Sequence, residues 1–300
     1  MSDVVWVFPG QGSQKVGMGK ELAEKSSIAR NVFNEVDRAL GFDLSRTIFE
    51  GPSEELLRTT NQQPAILAAS VAYLRVLRAS GELPEPGWVA GHSLGEYSAL
   101  VAAGAMSLAD AARLVRRRGE LMEEHGLGGM VAVLGLDATV LENVARETGT
   151  EIANFNAPGQ ITLSGRADGL EAAGKLAKEQ GARRVLPLPV NGAFHSSLME
   201  PVAEALWPMI AETTIDRPSV PLIANVDGRA ISEPDELRAE LRAQITASVR
   251  WIDVVQSAAA AGACRFYEVG PGKVLSGLIG RILPNASAAP VEPLLASLVY

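Results

Sequence analysis

Apolar positions near the start of the chain form short continuous runs, separated by longer stretches of helical periodicity. Val4 to Phe8 and Trp88 to Ala90 are two such runs, and both are typical of buried strands. Between them, apolar residues recur with helical spacing over residues 26–39, 53–58 and 64–78. The order of strand, helices, strand and then helix predicts an α/β fold with a parallel sheet.

The pattern changes from about Gly128, where shorter elements follow one another. Strands are predicted over residues 130–136, 151–154, 160–164 and 184–190, and helices over 138–147 and 169–180. A β-α-β-β-α-β series is the pattern of ferredoxin-like domains. We therefore predict a small α+β domain over residues 128–192, inserted into a large domain formed by residues 1–127 and 193–300. A continuous α/β domain without this break is the alternative.

After the insertion, the large domain is predicted to resume at Ser197 with a helix. Two more strands are predicted over residues 220–225 and 264–269, with a helical stretch between them. The alanine-rich stretch after Asn285 is expected to be weakly ordered, as chain ends often are.

The pentapeptide Gly91-His92-Ser93-Leu94-Gly95 lies between the second strand and a helical run over residues 96–106. In this position G-x-S-x-G is typical of a nucleophile elbow, where a strained turn exposes a serine hydroxyl and glycines leave room for the backbone. A glycine-rich turn without chemistry would have the same pattern. Ser93 is therefore a candidate nucleophile whose support must come from the rest of the chain.

A serine hydroxyl becomes a good nucleophile when a positioned base accepts its proton, and histidine is the commonest base near neutral pH. The chain contains three histidines. A strand-like entry to the elbow would point His92 away from Ser93, and His125 ends a helical stretch, where histidine usually interacts with the helix C-terminus. His195 lies in a turn-rich segment of the kind that often displays catalytic side chains. We expect His195 to be the base.

Composition acts mainly by excluding other classes of protein. The 300 residues carry a net charge of −8, which argues against nonspecific nucleic-acid binding. The single cysteine, Cys264, excludes an intrachain disulfide, and with only three histidines it argues against a metal site. The first residues carry no basic leader, and no apolar run approaches the roughly 20 residues that span a bilayer. We expect a cytoplasmic protein that does not cross a membrane.

A glycine-rich loop, Pro9 to Gln14, follows the first strand. It lacks the lysine of a Walker loop, and the spacing of Gly10, Gly12 and Gly17 does not match the dinucleotide fingerprint. We therefore do not predict a nucleotide site there.

With Ser93 and His195 placed, the chain resembles the malonyl-CoA:acyl carrier protein transacylases of bacterial fatty acid synthesis and their acyltransferase relatives in polyketide synthases. The matching segments follow the family order over nearly the whole chain: Phe8 to Gln14, Gln63 to Ala65, Gly91 to Leu100, Arg118-Gly119, Asn154 to Gln160, Ala193 to Ser196, and Glu268 to Lys273. The resemblance implies an α/β hydrolase-like large domain, an inserted ferredoxin-like domain and an active site in the cleft between them.

The resemblance also implies a ping-pong reaction. Ser93 would attack the thioester of malonyl-CoA, and the phosphopantetheine thiol of acyl carrier protein would then take the malonyl group, with His195 as base and acid. The backbone N–H groups of Gln11 and Leu94 would stabilise the oxyanion. The family has no third carboxylate, and the backbone carbonyl of Arg250 is expected to accept the hydrogen bond from His195 Nδ1.

Specificity is implied to depend on Arg118, whose guanidinium can hold the free malonyl carboxylate by two charge-assisted hydrogen bonds. Gln63 and Asn156 match family positions near the cleft, where an amide could contact substrate or make an ordinary loop hydrogen bond. Phe194 is expected to crowd an α-methyl branch and so to disfavour methylmalonyl-CoA. The implied partners are malonyl-CoA and acyl carrier protein, with no permanently bound cofactor or metal, and we expect a monomer.

Two other functions stay open at this level. A serine thioesterase or other hydrolase shares the Ser–His chemistry up to the acyl-enzyme, but it has no need of a cation that binds a carboxylate. A trans-acting polyketide loading enzyme or the transferase subunit of a malonate decarboxylase shares all of these motifs.

Overall fold

The computed structural model describes residues 2–299 and contains two separate sheets. The strands are β1 (Val4–Phe8), β2 (Trp88–Gly91), β3 (Gly129–Leu134), β4 (Glu151–Ala157), β5 (Gln160–Gly165), β6 (Arg184–Pro187), β7 (Leu222–Ile223), β8 (Ala230–Ile231), β9 (Arg265–Glu268) and β10 (Ser287–Pro290). The helices are α1 (Lys20–Lys25), α2 (Ser27–Leu40), α3 (Leu44–Glu50), α4 (Ser53–Leu57), α5 (Thr59–Ser80), α6 (Gly95–Ala102), α7 (Leu108–Glu124), α8 (Ala138–Thr148), α9 (Ala167–Glu179), α10 (Glu200–Glu212), α11 (Pro234–Ala243), α12 (Trp251–Ala260), α13 (Val274–Ile282) and α14 (Glu292–Val299). No helix within residues 2–299 combines the length and the apolar character that a bilayer crossing requires.

The larger sheet has the strand order β10-β9-β1-β2-β7-β8. Its pairings are parallel except for the last, where β8 runs antiparallel to β7. The prediction of an α/β fold with a parallel sheet is therefore confirmed, with one short antiparallel edge strand added.

The burial of strand β1 on both faces explains why the sequences of the central strands are continuous apolar runs. Val4, Trp6 and Phe8 belong to the core on one face of the sheet, whereas Val5 and Val7 belong to the core on the other face. Successive side chains of a strand point to opposite faces, so helices on both faces require apolar residues at every position. Helices α2, α5 and α7 contribute to the first core, and α12 and α13 contribute to the second.

The smaller sheet has the strand order β4-β5-β3-β6, and all of its pairings are antiparallel. Side chains of α8 and α9, including Leu141, Val144 and Ala173, share one core with Val133 and Leu163 of the sheet. The chain order β-α-β-β-α-β and this strand order agree with the ferredoxin-like small domain. The bounds proposed for it, residues 128–192, stay a prediction.

Backbone hydrogen bonds join strand β4 of the smaller sheet to the segment that precedes α12. The N–H of Phe155 in β4 donates to the carbonyl of Val249 (2.9 Å), and the N–H of Val249 donates to the carbonyl of Ala153 (2.8 Å). This link fixes the small domain against the segment that leads into α12.

Two expectations about the second half of the large domain are corrected. The strand expected over residues 220–225 is limited to Leu222–Ile223, because the backbone N–H of Asn225 bonds a glutamate side chain instead of a neighbouring strand. The alanine-rich tail is not weakly ordered: Ser287–Pro290 pairs in parallel with β9, and Val291 behind it is fully buried. Small side chains fit this covered edge, so composition alone was a poor guide.

The glycine at the end of β2 is required by packing. A Cβ at Gly91 would lie 1.9 Å from the carbonyl carbon of Gly95 in the next turn, whereas a Cβ at Gly277, within α13, meets no described atom within 4 Å. We expect Gly91→Ala to lower the free energy of unfolding by about 3 kcal/mol or more. Gly277→Ala is the control and should raise it by about 0.5–1 kcal/mol, since alanine is the better helix former. Urea unfolding curves measure both, and a Gly91→Ala midpoint equal to wild type would contradict the packing argument.

Candidate active site

Ser93 lies in a strained turn between β2 and α6. Its φ is 52°, and that of His195 is 58°; within residues 2–299 these are the only non-glycine residues in the left-handed region. Such a conformation costs about 1–3 kcal/mol for residues other than glycine and is concentrated at functional sites. Gly95 permits the turn, because a Cβ there would lie 2.1 Å from the carbonyl oxygen of Phe8. The geometry is that of the predicted nucleophile elbow.

Ser93 and His195 meet although 102 positions separate them. Ser93 Oγ lies 2.8 Å from His195 Nε2, and both side chains are buried. A hydroxyl at this distance from a neutral imidazole nitrogen can pass its proton to it as it attacks a carbonyl. The structure therefore brings together the two residues that the sequence analysis selected, and their catalytic roles are taken up below.

The other ring nitrogen of His195 is held by two backbone carbonyls. Nδ1 lies 2.7 Å from the carbonyl oxygen of Gln244 and 3.2 Å from that of Ala247. Carbonyls accept only, so Nδ1 carries the proton and Nε2 faces Ser93 with its lone pair. The histidine is thus fixed in the tautomer that a general base requires.

The expectation that the Arg250 carbonyl holds His195 is wrong. That carbonyl accepts the N–H of Val254 (3.0 Å) in the first turn of α12, so it is already used by the helix that follows it. Gln244 directly follows the end of α11, where the last carbonyls of a helix have no donor within the helix. Such free carbonyls are the signal that could have indicated Gln244.

Arg118 is completely buried beside the serine, whereas the neighbouring Arg117 is a surface residue. Its Nη2 donates to Ser93 Oγ (3.0 Å) and to Gln244 Oε1 (3.0 Å), and its Nη1 donates to Gln63 Oε1 (2.9 Å). The Nε atom has no partner among the described residues. Every observed acceptor is uncharged, so the guanidinium has no direct ionic partner within residues 2–299.

Burial of this charge affects the ionisation of its surroundings. Removal from water lowers the pKa of Arg118 itself. Burial, followed by the repulsion from Arg118, lowers the pKa of His195 to about 3. His195 is therefore neutral, and able to accept a proton, at any pH at which the protein is expected to work.

Two backbone N–H groups near Ser93 are free to bind an oxyanion. The amides of Gln11 and Leu94 donate to no acceptor among the described residues, although the side chain of Gln11 donates to Gln62 Oε1 (2.6 Å). Leu94 follows the serine directly, and Gln11 lies in the loop after β1. Their role as the oxyanion hole stays a prediction.

A cavity of about 260 Å³ lies between the two domains, and the loop after β1, strands β4 and β5 and helix α13 contribute to its walls. Asn156 and His92 line it, and His92 Nε2 lies 2.8 Å from Asn156 Oδ1. His92 also packs against Trp251, with the two ring centroids 5.6 Å apart. Ser93, His195 and Arg118 do not line this cavity, but His92 of its wall directly precedes Ser93.

The remaining predicted residues take different places. Gln63 is fully buried and holds Arg118, so it is positioned to orient the guanidinium. Phe194 is 4% exposed and packs in the core of the large domain, and its effect on branched substrates stays a prediction.

Three residues of the site were missed by the sequence analysis: Glu96, Asn225 and Gln244. Asn225 Oδ1 accepts the backbone N–H of Ser93 (2.7 Å), and Gln244 contacts both Arg118 and His195. Glu96 follows the elbow motif directly, so its place in the sequence was a signal, whereas the other two lie far from any motif.

Comparison with known proteins agrees with this geometry. Residues 5–298 match the family model described as the acyl transferase domain. The chain belongs to the acyl transferase family.

Individual relatives indicate which acyl transferases this chain is similar to in sequence and structure. The malonyl CoA-acyl carrier protein transacylase of Bacillus subtilis (strain 168) is 47% identical over 290 residues, which cover 94% of this chain and 91% of the relative. The crystal structure of acyl-carrier-protein-S-malonyltransferase from Bartonella henselae has a TM-score of 0.95 at 43% identity and covers 99% of this chain and 98% of that one. A third match comes from the structure of a type II polyketide acyl-carrier protein in complex with its malonyl-transacylase. The matching chain of that complex has a TM-score of 0.95 at 39% identity, with 99% of each chain covered.

The low pKa of His195 predicts an unusual pH profile for the free enzyme. A base with the ordinary pKa of 6.5 would lose about 30-fold in its neutral fraction between pH 7.5 and pH 5. Because the pKa of His195 is lowered to about 3, the neutral form persists across this range. We expect the rate at which a neutral fluorophosphonate labels Ser93 to stay flat within about threefold from pH 7.5 to pH 5. A decline with a midpoint near pH 6.5 would contradict the assignment of a buried, neutral histidine.

Proposed function

We propose that this chain transfers the malonyl group of malonyl-CoA to the phosphopantetheine thiol of an acyl carrier protein through a malonyl ester of Ser93. The observation that carries the proposal is the buried guanidinium of Arg118, whose Nη2 lies 3.0 Å from Ser93 Oγ and whose acceptors are all neutral. A malonyl group brings the missing carboxylate with it. An acetyl group would leave the arginine buried and unpaired.

Arg118 has a suitable pair of donors for that carboxylate. Nε has no partner among the described residues, and Nη2 on the same edge of the guanidinium donates to the serine hydroxyl. A carboxylate binds such an edge through two parallel hydrogen bonds, a geometry that a lysine cannot offer. The substrate's carbonyl carbon would then lie next to Ser93.

The first half-reaction forms the acyl-enzyme. His195 Nε2 accepts the proton of Ser93 Oγ as the oxygen attacks the thioester carbonyl, and the resulting oxyanion faces the amides of Leu94 and Gln11. When the carbon–sulfur bond breaks, the imidazolium returns the proton to the departing thiolate of CoA. The product is a malonyl-serine ester and free CoA.

The second half-reaction uses the same groups in reverse. The phosphopantetheine thiol enters through the cleft, His195 accepts its proton, and the sulfur attacks the ester carbonyl. Collapse of this second tetrahedral intermediate breaks the bond to Ser93 Oγ, which takes the proton back from the imidazolium. All bond changes are accounted for by the hydroxyl and the imidazole, so we expect no resident cofactor.

Three other functions would use the same serine and histidine. A thioesterase would use the same dyad with water as acceptor, but a buried arginine beside the nucleophile favours an acyl group with its own negative charge. The similarity to a malonyl-transacylase of type II polyketide synthesis favours a carrier protein of either pathway as the acceptor. A malonate decarboxylase subunit would load malonyl by the same dyad. We further propose a monomeric enzyme that acts in the cytoplasm.

Replacing Arg118 tests the proposal. Arg118→Ala should lower malonyl transfer to carrier protein by about 30-fold or more, since truncating one partner of a buried charge pair costs about 2–5 kcal/mol. Acetyl transfer or hydrolysis should rise relative to malonyl transfer. Arg118→Lys keeps the charge without the fork and should be intermediate.

The measurement is the initial rate with malonyl-CoA and acetyl-CoA as competing donors and holo carrier protein as acceptor. Circular dichroism of each variant checks that it is folded. An unchanged preference for malonyl in folded Arg118→Ala would remove the arginine from the specificity mechanism.

A further inference from the structure

Glu96, in the first turn of α6, has a completely buried carboxylate whose role the reaction above does not explain. Its Oε1 accepts the backbone N–H of Asn225 (2.8 Å), and its Oε2 accepts Nε2 of Gln244 (2.8 Å). Asn225 follows β7 and Gln244 follows α11, so one side chain ties together two loops. Each of these loops carries a residue that contacts the reacting groups.

Asn225 holds the elbow. Its Oδ1 accepts the backbone N–H of Ser93 (2.7 Å), and its Nδ2 donates to the carbonyl of Gly91 (2.6 Å). These two bonds bracket the turn in which Ser93 has φ 52°. The bond from its own backbone to Glu96 therefore fixes the support of the nucleophile.

Gln244 holds the other two members of the site. Its side-chain Oε1 accepts Nη2 of Arg118 (3.0 Å), and its backbone carbonyl accepts Nδ1 of His195 (2.7 Å). Its Nε2 donates to Glu96 and also to the backbone carbonyl of Ser93 (3.1 Å). Glu96 is thus one hydrogen bond away from the residues that orient nucleophile, base and guanidinium.

A second carboxyl completes the arrangement. Glu240 of α11 accepts the N–H of Val226 (3.0 Å), the residue after Asn225, and is hydrogen-bonded to Glu96. Burial, and then the charge of Glu240, raises the pKa of Glu96 well above its ordinary value, and burial raises the pKa of Glu240. Two neighbouring buried carboxyls are not readily ionised together, so we expect the pair to hold one proton.

We propose that Glu96 is a positioning residue that sets the orientations of Asn225 and Gln244 and, through them, of Ser93, His195 and Arg118. The catalytic meaning of this inference rests on the proposed function. The predicted effect of Glu96 on the Ser93–His195 pair can be measured without malonyl-CoA, from the reactivity of Ser93.

The hydrogen-bond pattern requires Glu96 to accept hydrogen bonds at both of its side-chain oxygens. Both of its oxygens accept from nitrogen, so Glu96→Gln places an NH₂ group against the N–H of Asn225 or against Nε2 of Gln244. If Gln244 turns its amide over to relieve the second clash, its NH₂ faces Nη2 of Arg118 instead. Every arrangement leaves a buried donor unpaired beside one of the reacting groups.

Glu240, in contrast, can be replaced by glutamine without the loss of a hydrogen bond. As a glutamine it can still accept the N–H of Val226 through Oε1 and donate to an ionised Glu96 through Nε2, so the pair keeps the same number of hydrogen bonds and the same net charge. The isosteric change that disrupts the network at Glu96 is therefore tolerated at Glu240. A role in burial alone would not distinguish two adjacent glutamates in this way.

Glu268 provides a matched control. It is also a completely buried glutamate, but its carboxylate accepts the backbone N–H groups of Leu275 (3.0 Å) and Ser276 (2.7 Å) at the start of α13. Glu268→Gln removes an acceptor from a helix start and should lower the thermal midpoint. It makes no hydrogen bond to the residues that hold Ser93 or His195.

The test compares the three variants in the full-length protein by the rate at which a neutral fluorophosphonate labels Ser93, by malonyl loading and by thermal unfolding. Glu96→Gln should lower the labelling rate about tenfold or more, because a buried donor is left unpaired at the dyad's support. Glu240→Gln should stay within about threefold of wild type. Glu268→Gln should melt earlier but, while folded, label at the wild-type rate.

Labelling of Glu96→Gln at the wild-type rate would overturn the inference. Equal losses of labelling rate in Glu96→Gln and Glu240→Gln would overturn it as well.

If Glu96→Gln does not fold, Gln244→Met breaks the same link between Glu96 and Gln244 and retains the backbone carbonyl that holds His195. It should reduce malonyl loading at least about fivefold more than fluorophosphonate labelling, since it releases Arg118 and not His195; equal effects would refute the proposal. If the fluorophosphonate labels the wild-type protein but malonyl-CoA never loads it, the proposed function is refuted. The comparison of the labelling rates of Glu96→Gln and Glu240→Gln would still decide the inference about Glu96.

Discussion

A positive charge buried without a negative partner is the constraint on which this site depends. The guanidinium of Arg118 is fully excluded from water, and two amide oxygens and a hydroxyl are its only hydrogen-bond acceptors among the described residues. Burying an ion is unfavourable unless it is paired, which supports the proposal that an anionic substrate binds here. Burial, followed by the repulsion from this charge, lowers the pKa of His195 and keeps its imidazole neutral. We propose that this one residue links the selection of the substrate to the ionisation state of the base.

The architecture explains how such a charge can be held still. The elbow follows a central strand, the arginine comes from α7, the second helix after the elbow, and the histidine follows the inserted domain. The three come from distant parts of the chain, and their relative positions depend on polar side chains that join the loops between them. Glu96, Asn225 and Gln244 form that connection, and each of them is almost or completely buried. Networks of this kind specify one arrangement when every member is satisfied.

Much of the fold and the reacting pair could be predicted from local sequence patterns. Buried strands are continuous apolar runs, the small domain has a characteristic element order, and the elbow has a short motif with a mechanical reason for each glycine. Arg118 came from the resemblance to a family and not from periodicity, because its helix is otherwise an ordinary amphipathic one. The residues that hold the site together were not predictable in this way. Gln244 and Asn225 act through contacts between loops, and the choice of Arg250 failed because hydrogen-bond partners of carbonyls depend on where helices end.

The most direct measurement of the central claim is the intact mass of the protein after mixing with malonyl-CoA alone, followed by peptide mapping. Because the acyl group needs a carboxylate to neutralise Arg118, the account predicts one added malonyl group on the peptide that contains Ser93, and much less acetyl adduct from acetyl-CoA under the same conditions. No adduct, an adduct on another residue, or equal occupancy by malonyl and acetyl would contradict it.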